Sequence, residues 1–172
     1  MTDQEPLVGV LMGSDSDWPV MRACVDRLGE LGVACEVRVL SAHRRPDAVH
    51  EYALSARQRG MKVLVAGAGM SAALAGALAA GTTLPVIGVP LAAGPLAGVD
   101  AALSTMQMPP GVPVACMAIG KAGAQNAAVL AAQILALADV ELAKRLRQFK
   151  KDQAEAAEQK DAELQQKLDR SE

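Results

Sequence analysis

Short apolar runs alternate with segments of helical spacing along most of this chain. Leu7-Val8-Gly9-Val10-Leu11-Met12 reads as a first β-strand and Val33 to Leu40 as a second. Between them, Trp18 to Gly32 carries Met21, Cys24, Val25, Leu28 and Leu31 at helical spacing, with Asp17 placed to cap the helix and Gly32 to stop it. Pro46 opens a second helix where its missing N–H does no harm, and Gly60 ends it. Lys62 to Ala66 is a third strand, Ser71 to Ala80 a short Ala-rich helix, Leu84 to Val89 a fourth strand and Asp100 to Gln107 another short helix. Val112 to Ile119 is a fifth strand, followed by an Ala-rich helix from about Ala124 to Ala138. Such alternation predicts an α/β fold: a central parallel sheet covered by helices on both faces.

From Asp139 the pattern changes to Lys, Arg, Glu, Gln and Asp with sparse apolar positions at Leu142, Leu146, Phe149, Leu164 and Leu168. The expected organisation is therefore an α/β body over 1–138 and a charged helical extension over 139–172, whose first part packs and whose last part is solvated. The apolar region from Val63 to Val99 is broken by Gly67, Gly69, Gly76, Gly81, Pro85, Gly88, Pro90 and Pro95. A membrane span needs roughly 20 consecutive helix-compatible apolar residues, so this region is expected to be strand, helix, strand and loop.

Composition narrows the function classes. Lys and Arg number 17 against 19 Asp and Glu, so no basic field invites nucleic acid. Only Trp18, Tyr52 and Phe149 are aromatic, so the core is built from small side chains that bury little surface each, and association between subunits is expected to add stability. Cys24, Cys35 and Cys116 are odd in number, widely spaced and set in apolar runs, which reads as reduced thiols in a cytoplasmic protein. The short acidic N-terminus does not read as a secretory signal.

The chemistry concentrates in two turns. Gly13-Ser14-Asp15-Ser16-Asp17 follows the first strand and Ser41-Ala42-His43-Arg44-Arg45-Pro46 the second. In a parallel sheet both lie at the carboxyl edge, where open α/β folds bind ligands. Ser14 suits a phosphate at a helix N-terminus, Arg44 could clamp it, and Asp17 suits a sugar hydroxyl. His43 can donate and accept a proton within one cycle. Gly67-Ala68-Gly69-Met70-Ser71 has some of the look of a dinucleotide fingerprint, but it follows the third strand and no acidic residue ends the next one. Backbone access to a flat heterocycle explains that turn better.

In order, Met-Gly-Ser-x-Ser-Asp at 12–17, Ser-Ala-His-Arg at 41–44, Ala-Gly-Ala-Gly at 66–69 and Gly-Val-Pro at 88–90 resemble the PurE family of purine biosynthesis. Gly-Val-Asp at 98–100, Gln-Met-Pro-x-Gly at 107–111 and Ala-Ile-Gly-Lys-Ala-Gly at 118–123 continue the resemblance, which spans roughly Val8 to Leu146. It implies a flavodoxin-like α/β sandwich, a homo-octamer with the active site between subunits, and no metal or organic cofactor. It implies Ser14 and Arg44 as phosphate ligands, Asp17 as a ribose ligand, Ser41 as a further substrate contact, and His43 as the proton shuttle. Backbone N–H groups around Gly69, Met70 and Ser71 would hold the carboxylate. The implied reaction converts N5-carboxyaminoimidazole ribonucleotide to 4-carboxy-5-aminoimidazole ribonucleotide.

Two loops depart from the pattern. The Gln-Ser expected after Gly-Val-Pro is altered, with Ala92 and Ala93 in a run ending Gly94-Pro95. The mutase run Ala-Gly-Ala-Gly-Gly-Ala-Ala-His-Leu-Pro-Gly is Ala-Gly-Ala-Gly-Met-Ser-Ala-Ala-Leu-Ala-Gly at 66–76, so Met70 stands for Gly, Ala73 for His and Ala75 for Pro. Ser71 and Leu74 instead match the related carboxylases that use carbon dioxide directly, whereas Met70 and Ala72 replace the Arg and Asn of that pattern. Direct carboxylation of aminoimidazole ribonucleotide, and a catalytically weak paralogue that binds a nucleotide monophosphate, are the alternatives.

Overall fold

The structure is a computed structural model that describes residues 5–170. Five strands, β1 Val8–Met12, β2 Cys35–Val39, β3 Val63–Gly69, β4 Val86–Leu91 and β5 Ala115–Cys116, form one sheet in the order β2-β1-β3-β4-β5. Every pairing is parallel. The helices are α1 Trp18–Glu30, α2 Pro46–Ala56, α3 Leu74–Gly81, α4 Val99–Met106, α5 Lys121–Ala136 and α6 Val140–Asp169. Alternate strand residues face opposite layers, as the pleat requires. Val8, Val10, Met12, Val63 and Val65 pack toward α1, α5 and α6, while Leu11, Leu64 and Ala66 pack toward α2 and α3. The result is the flavodoxin-like three-layer sandwich that the alternation and the resemblance led us to expect.

Small residues let the layers meet closely. Ala124, Ala127, Ala128, Ala131 and Ala132 of α5 are buried in the same cluster as Met21, Cys24 and Leu28 of α1. No helix among the described residues is long and apolar enough to cross a membrane. The apolar region from 63 divides into β3, α3, β4 and loop, as its glycines and prolines demand.

Several local expectations need correction. The fifth strand is only Ala115–Cys116 rather than Val112 to Ile119, because Pro113 has no N–H to give to the ladder. Helix α3 begins at Leu74 rather than Ser71, since Met70 takes a left-handed φ of 54° and Ala72 N–H folds back to the Gly69 carbonyl at 3.1 Å. Asp17 does not cap α1 through its side chain. Ser14 caps a single 3-10 turn over Asp15–Asp17 that leads into α1, and Asp17 closes a reciprocal capping box with it.

The charged C-terminal segment is one continuous helix, started by Asp139 Oδ1 accepting from the N–H groups of Glu141 and Leu142. Its first turns are anchored. Leu142 is 2% exposed, Arg145 Nε donates to the Leu31 carbonyl at 2.8 Å, and Arg27 lies over the Phe149 ring. From Lys150 to Arg170 every side chain is exposed. Leu142→Ala should therefore cost about 2–5 kcal/mol in urea unfolding, whereas removing residues 151–172 should leave the midpoint unchanged. A large fall on truncation would show that the outer half of α6 is buried by something other than its own chain.

Candidate active site

The carboxyl ends of β1, β2 and β3 are brought level by their register, in which Met12 pairs with both Val39 and Gly67. The ladder continues one step into the loops. Leu40 N–H donates to the Met12 carbonyl at 2.8 Å and Gly13 N–H to the Gly67 carbonyl at 3.1 Å. Three loops therefore leave the sheet side by side and enclose a cleft of about 530 Å3. Ser14, Asp17, Ser41, His43, Arg44, Gly69, Met70 and Ser71 all line it, so the residues singled out from sequence converge on one place.

The first loop is tightly organised. Ser14 Oγ accepts from Ser16 N–H and donates to Asp15 Oδ1, and Asp17 Oδ2 accepts from Ser14 N–H at 3.0 Å. Burial pushes the Asp17 carboxyl above its usual 3.8, against the Ser14 N–H that favours its charge. The second loop is pinned to the first. Arg44 Nε donates to Ser41 Oγ at 3.2 Å and Nη2 to the Gly13 carbonyl at 3.3 Å. These contacts use two of the five guanidinium N–H groups, and Arg44 lines the cleft. His43 is exposed, and among the described residues nothing hydrogen-bonds its ring.

The opposite wall is apolar apart from Ser71. It consists of Ala68, Gly69, Met70, Ala72, Ala73, Leu74 and, from the β4–α4 loop, Ala93. The two loops touch at Gly69, where an added Cβ would lie 2.6 Å from Ala93 Cβ. Ser16 and Ala93 also line the cleft and were not assigned roles from sequence. Ser16 was legible in the Ser-x-Ser spacing of its turn. Ala93 is one of the two altered positions after Gly-Val-Pro, and its place just after β4 at the same sheet edge puts it in the cleft. The motifs at 107–111 and 118–123 supply nothing to this cleft; Met108 instead packs beside Gly76 of α3. Among the described residues, no three His, Cys, Asp or Glu side chains are grouped so as to hold a metal ion.

The AIR carboxylase family model matches residues 7–156. This chain is 58% identical over 142 residues to N5-carboxyaminoimidazole ribonucleotide mutase of Bacillus subtilis, covering 83% of this chain and 88% of that protein. It is 51% identical over 162 residues to the enzyme of the same name from Mycobacterium tuberculosis, covering 94% and 92%. The chain belongs to the AIR carboxylase family. Among solved structures, Treponema denticola PurE superposes with a TM-score of 0.82 at 30% identity, covering 92% of this chain and 98% of that one.

Within an AIR carboxylase scaffold, the departures at 70, 73 and 75 fall in one place. Met70 and Ala73 line the apolar wall, while Ala75 is buried behind it. The polar wall keeps Ser14, Asp17, Ser41, His43 and Arg44 together. Gly69→Ala should cost about 1–3 kcal/mol, because its Cβ and that of Ala93 cannot both be accommodated without moving a loop. Combining it with Ala93→Gly should recover most of the loss in urea unfolding. Strict additivity of the two substitutions would mean that the loops do not meet there.

Proposed function

We propose that this chain converts N5-carboxyaminoimidazole ribonucleotide to 4-carboxy-5-aminoimidazole ribonucleotide in purine biosynthesis. The observation that carries the reading is the placement of an unengaged imidazole, His43, in one cleft with a phosphate-type clamp and an apolar wall. Both quoted mutase relatives bear the name of this activity. Arg44 and Ser14, with the N-termini of α1 and α2 behind their loops, favour a phosphate. Asp17 is the acceptor for ribose hydroxyls, and Ser41 holds Arg44 in reach while facing substrate. The Gly69-Met70-Ser71 turn meets the carboxylate. No metal or organic cofactor enters this reading.

His43 performs two proton transfers. As the bond between the exocyclic nitrogen and the carboxyl carbon breaks, its electrons remain on nitrogen and the imidazolium supplies the proton. Carbon dioxide is released beside the aminoimidazole ring. Ring carbon 4 then attacks it, and the neutral imidazole removes the proton from that carbon. The proton given equals the proton taken, so one imidazole closes the cycle.

A second reading, direct carboxylation of aminoimidazole ribonucleotide, is favoured by Ser71 and Leu74 on the cleft wall. It uses only the second half of the same chemistry and releases the proton to solvent. The test supplies each substrate separately and follows labelled carbon dioxide. Ala73 leaves the wall roomier and less polar, so the mutase reading predicts turnover with leakage to aminoimidazole ribonucleotide and partial dependence on bicarbonate. His43→Asn should lower turnover by about 10²–10⁴-fold with nucleotide binding kept. Arg44→Ala should weaken binding of the nucleotide far more than of its dephosphorylated nucleoside. Activity only from aminoimidazole ribonucleotide and bicarbonate would select the second reading. No turnover of either substrate would favour the nucleotide-binding paralogue.

The reading extends to a homo-octamer in the cytoplasm. Val99, Leu103 and Met106 expose one apolar face of α4, and Val37 and Val39 are exposed on the edge strand β2. These surfaces suit burial between subunits. Cys24, Cys35 and Cys116 are free thiols, as a reducing compartment would keep them. Sedimentation at micromolar concentration should give eight times the chain mass; a stable monomer would overturn the assembly.

A further inference from the structure

Met70 is one of two non-glycine residues with positive φ among the described residues. A side chain in this region of backbone space is disfavoured, and glycine would hold the same turn without strain. Strained positions persist where the surroundings or the function hold them, and this one lies in the cleft wall. Its side chain is not an anchor into the core. It is 56% exposed and lies along Gly94 of the β4–α4 loop, whose added Cβ would meet Met70 Cγ at 3.5 Å and Sδ at 3.9 Å. The rest of the wall is short or buried: Ala68, Ala73 and Ala93 end at Cβ, and Leu74 is 1% exposed. Among the described residues, Met70 is the one long side chain exposed on that wall, running along Gly94 and open to the cleft.

We propose that Met70 is the residue that recognises the ring end of the bound nucleotide, its thioether packing against the heterocycle while the polar wall holds the phosphate and sugar. The proposal rests on the nucleotide reading above and adds to it the side chain that selects for a flat aromatic group. Physical chemistry suits the assignment. Methionine is unbranched and polarisable, adapts to the shape it meets, and makes favourable sulfur–aromatic contacts. With Ala at 73, the wall offers no imidazole to hydrogen-bond the ring end. Dispersion from Met70 takes over that part of the grip.

Calorimetric titration of native protein, M70A, M70G and M70L with two probes tests this. Aminoimidazole ribonucleotide carries the ring; ribose 5-phosphate lacks it. M70A and M70G should bind the ribonucleotide about 2- to 10-fold more weakly, the range of a sulfur–aromatic contact, with ribose 5-phosphate unaffected. M70L should recover part of the loss. M70G should also unfold at a higher denaturant concentration than M70A, since it releases the left-handed strain, so an unfolded M70A would leave M70G to decide. Equal weakening toward both probes would overturn the proposal by showing that position 70 shapes the whole cleft. Unchanged ribonucleotide binding in both variants would overturn it alone, leaving the functional reading standing. Failure of the folded native protein to bind the ribonucleotide would overturn both.

Discussion

The site depends on how β1 is held between β2 and β3. Because Met12 is level with Val39 on one side and Gly67 on the other, three loops leave the sheet at the same height. The bonds from Leu40 to Met12 and from Gly13 to Gly67 carry that alignment one residue past the strands. A slip of one residue would exchange the faces of Val8, Val10 and Met12 with that of Leu11, and two differently packed layers forbid it. Core packing thus sets the position of Arg44 relative to Gly13 indirectly. The guanidinium then spans both loops by taking the Gly13 carbonyl and the Ser41 hydroxyl.

That arrangement divides the cleft into walls of opposite character. The polar wall comes from loops that run into helix N-termini, whose unpaired N–H groups and dipoles favour an anion. Asp15 and Asp17 oppose that field, and each is engaged by a hydrogen bond within the loop, Asp17 while also lining the cleft. Asp15 accepts from Ser14 Oγ, Asp17 from Ser14 N–H. The apolar wall follows from the composition of β3 and its loop, where alanine and glycine let the β4–α4 loop come close enough for Ala93 to touch Gly69.

The layered fold and the polar wall were legible because both rest on local signals: strand runs, helical spacing, and Ser, Asp, His and Arg in turns after strands. The limits of α3 and β5 were less so. Helical spacing from Ser71 to Ala80 cannot reveal that Met70 bends backward and delays the helix to Leu74. Likewise the apolar run from Val112 to Ile119 hides how far Pro113 curtails pairing with β4. Asp17 was rightly placed at the start of α1, but its carboxylate serves Ser14 rather than the helix it precedes. Ala93 was legible as a departure from the Gln-Ser of the resemblance, but an alanine bears no chemical mark, and only the approach of two loops makes it a wall.

The absence of a second imidazole bears on carbon dioxide more than on protons. An isomerisation that gives one proton to nitrogen and takes one from carbon returns a single base to its starting state, so on the proposed reading one imidazole would serve both transfers. On the same reading, Ala73 puts no polar side chain on the wall beside which carbon dioxide would wait between leaving the nitrogen and joining the ring. An apolar wall admits a nonpolar gas readily and holds it weakly, with little direction. Retention then depends on how tightly the ring itself covers the wall. Ala73 and Met70 share that wall, so on the proposed reading the space left at 73 and the thioether at 70 act on the same end of the nucleotide.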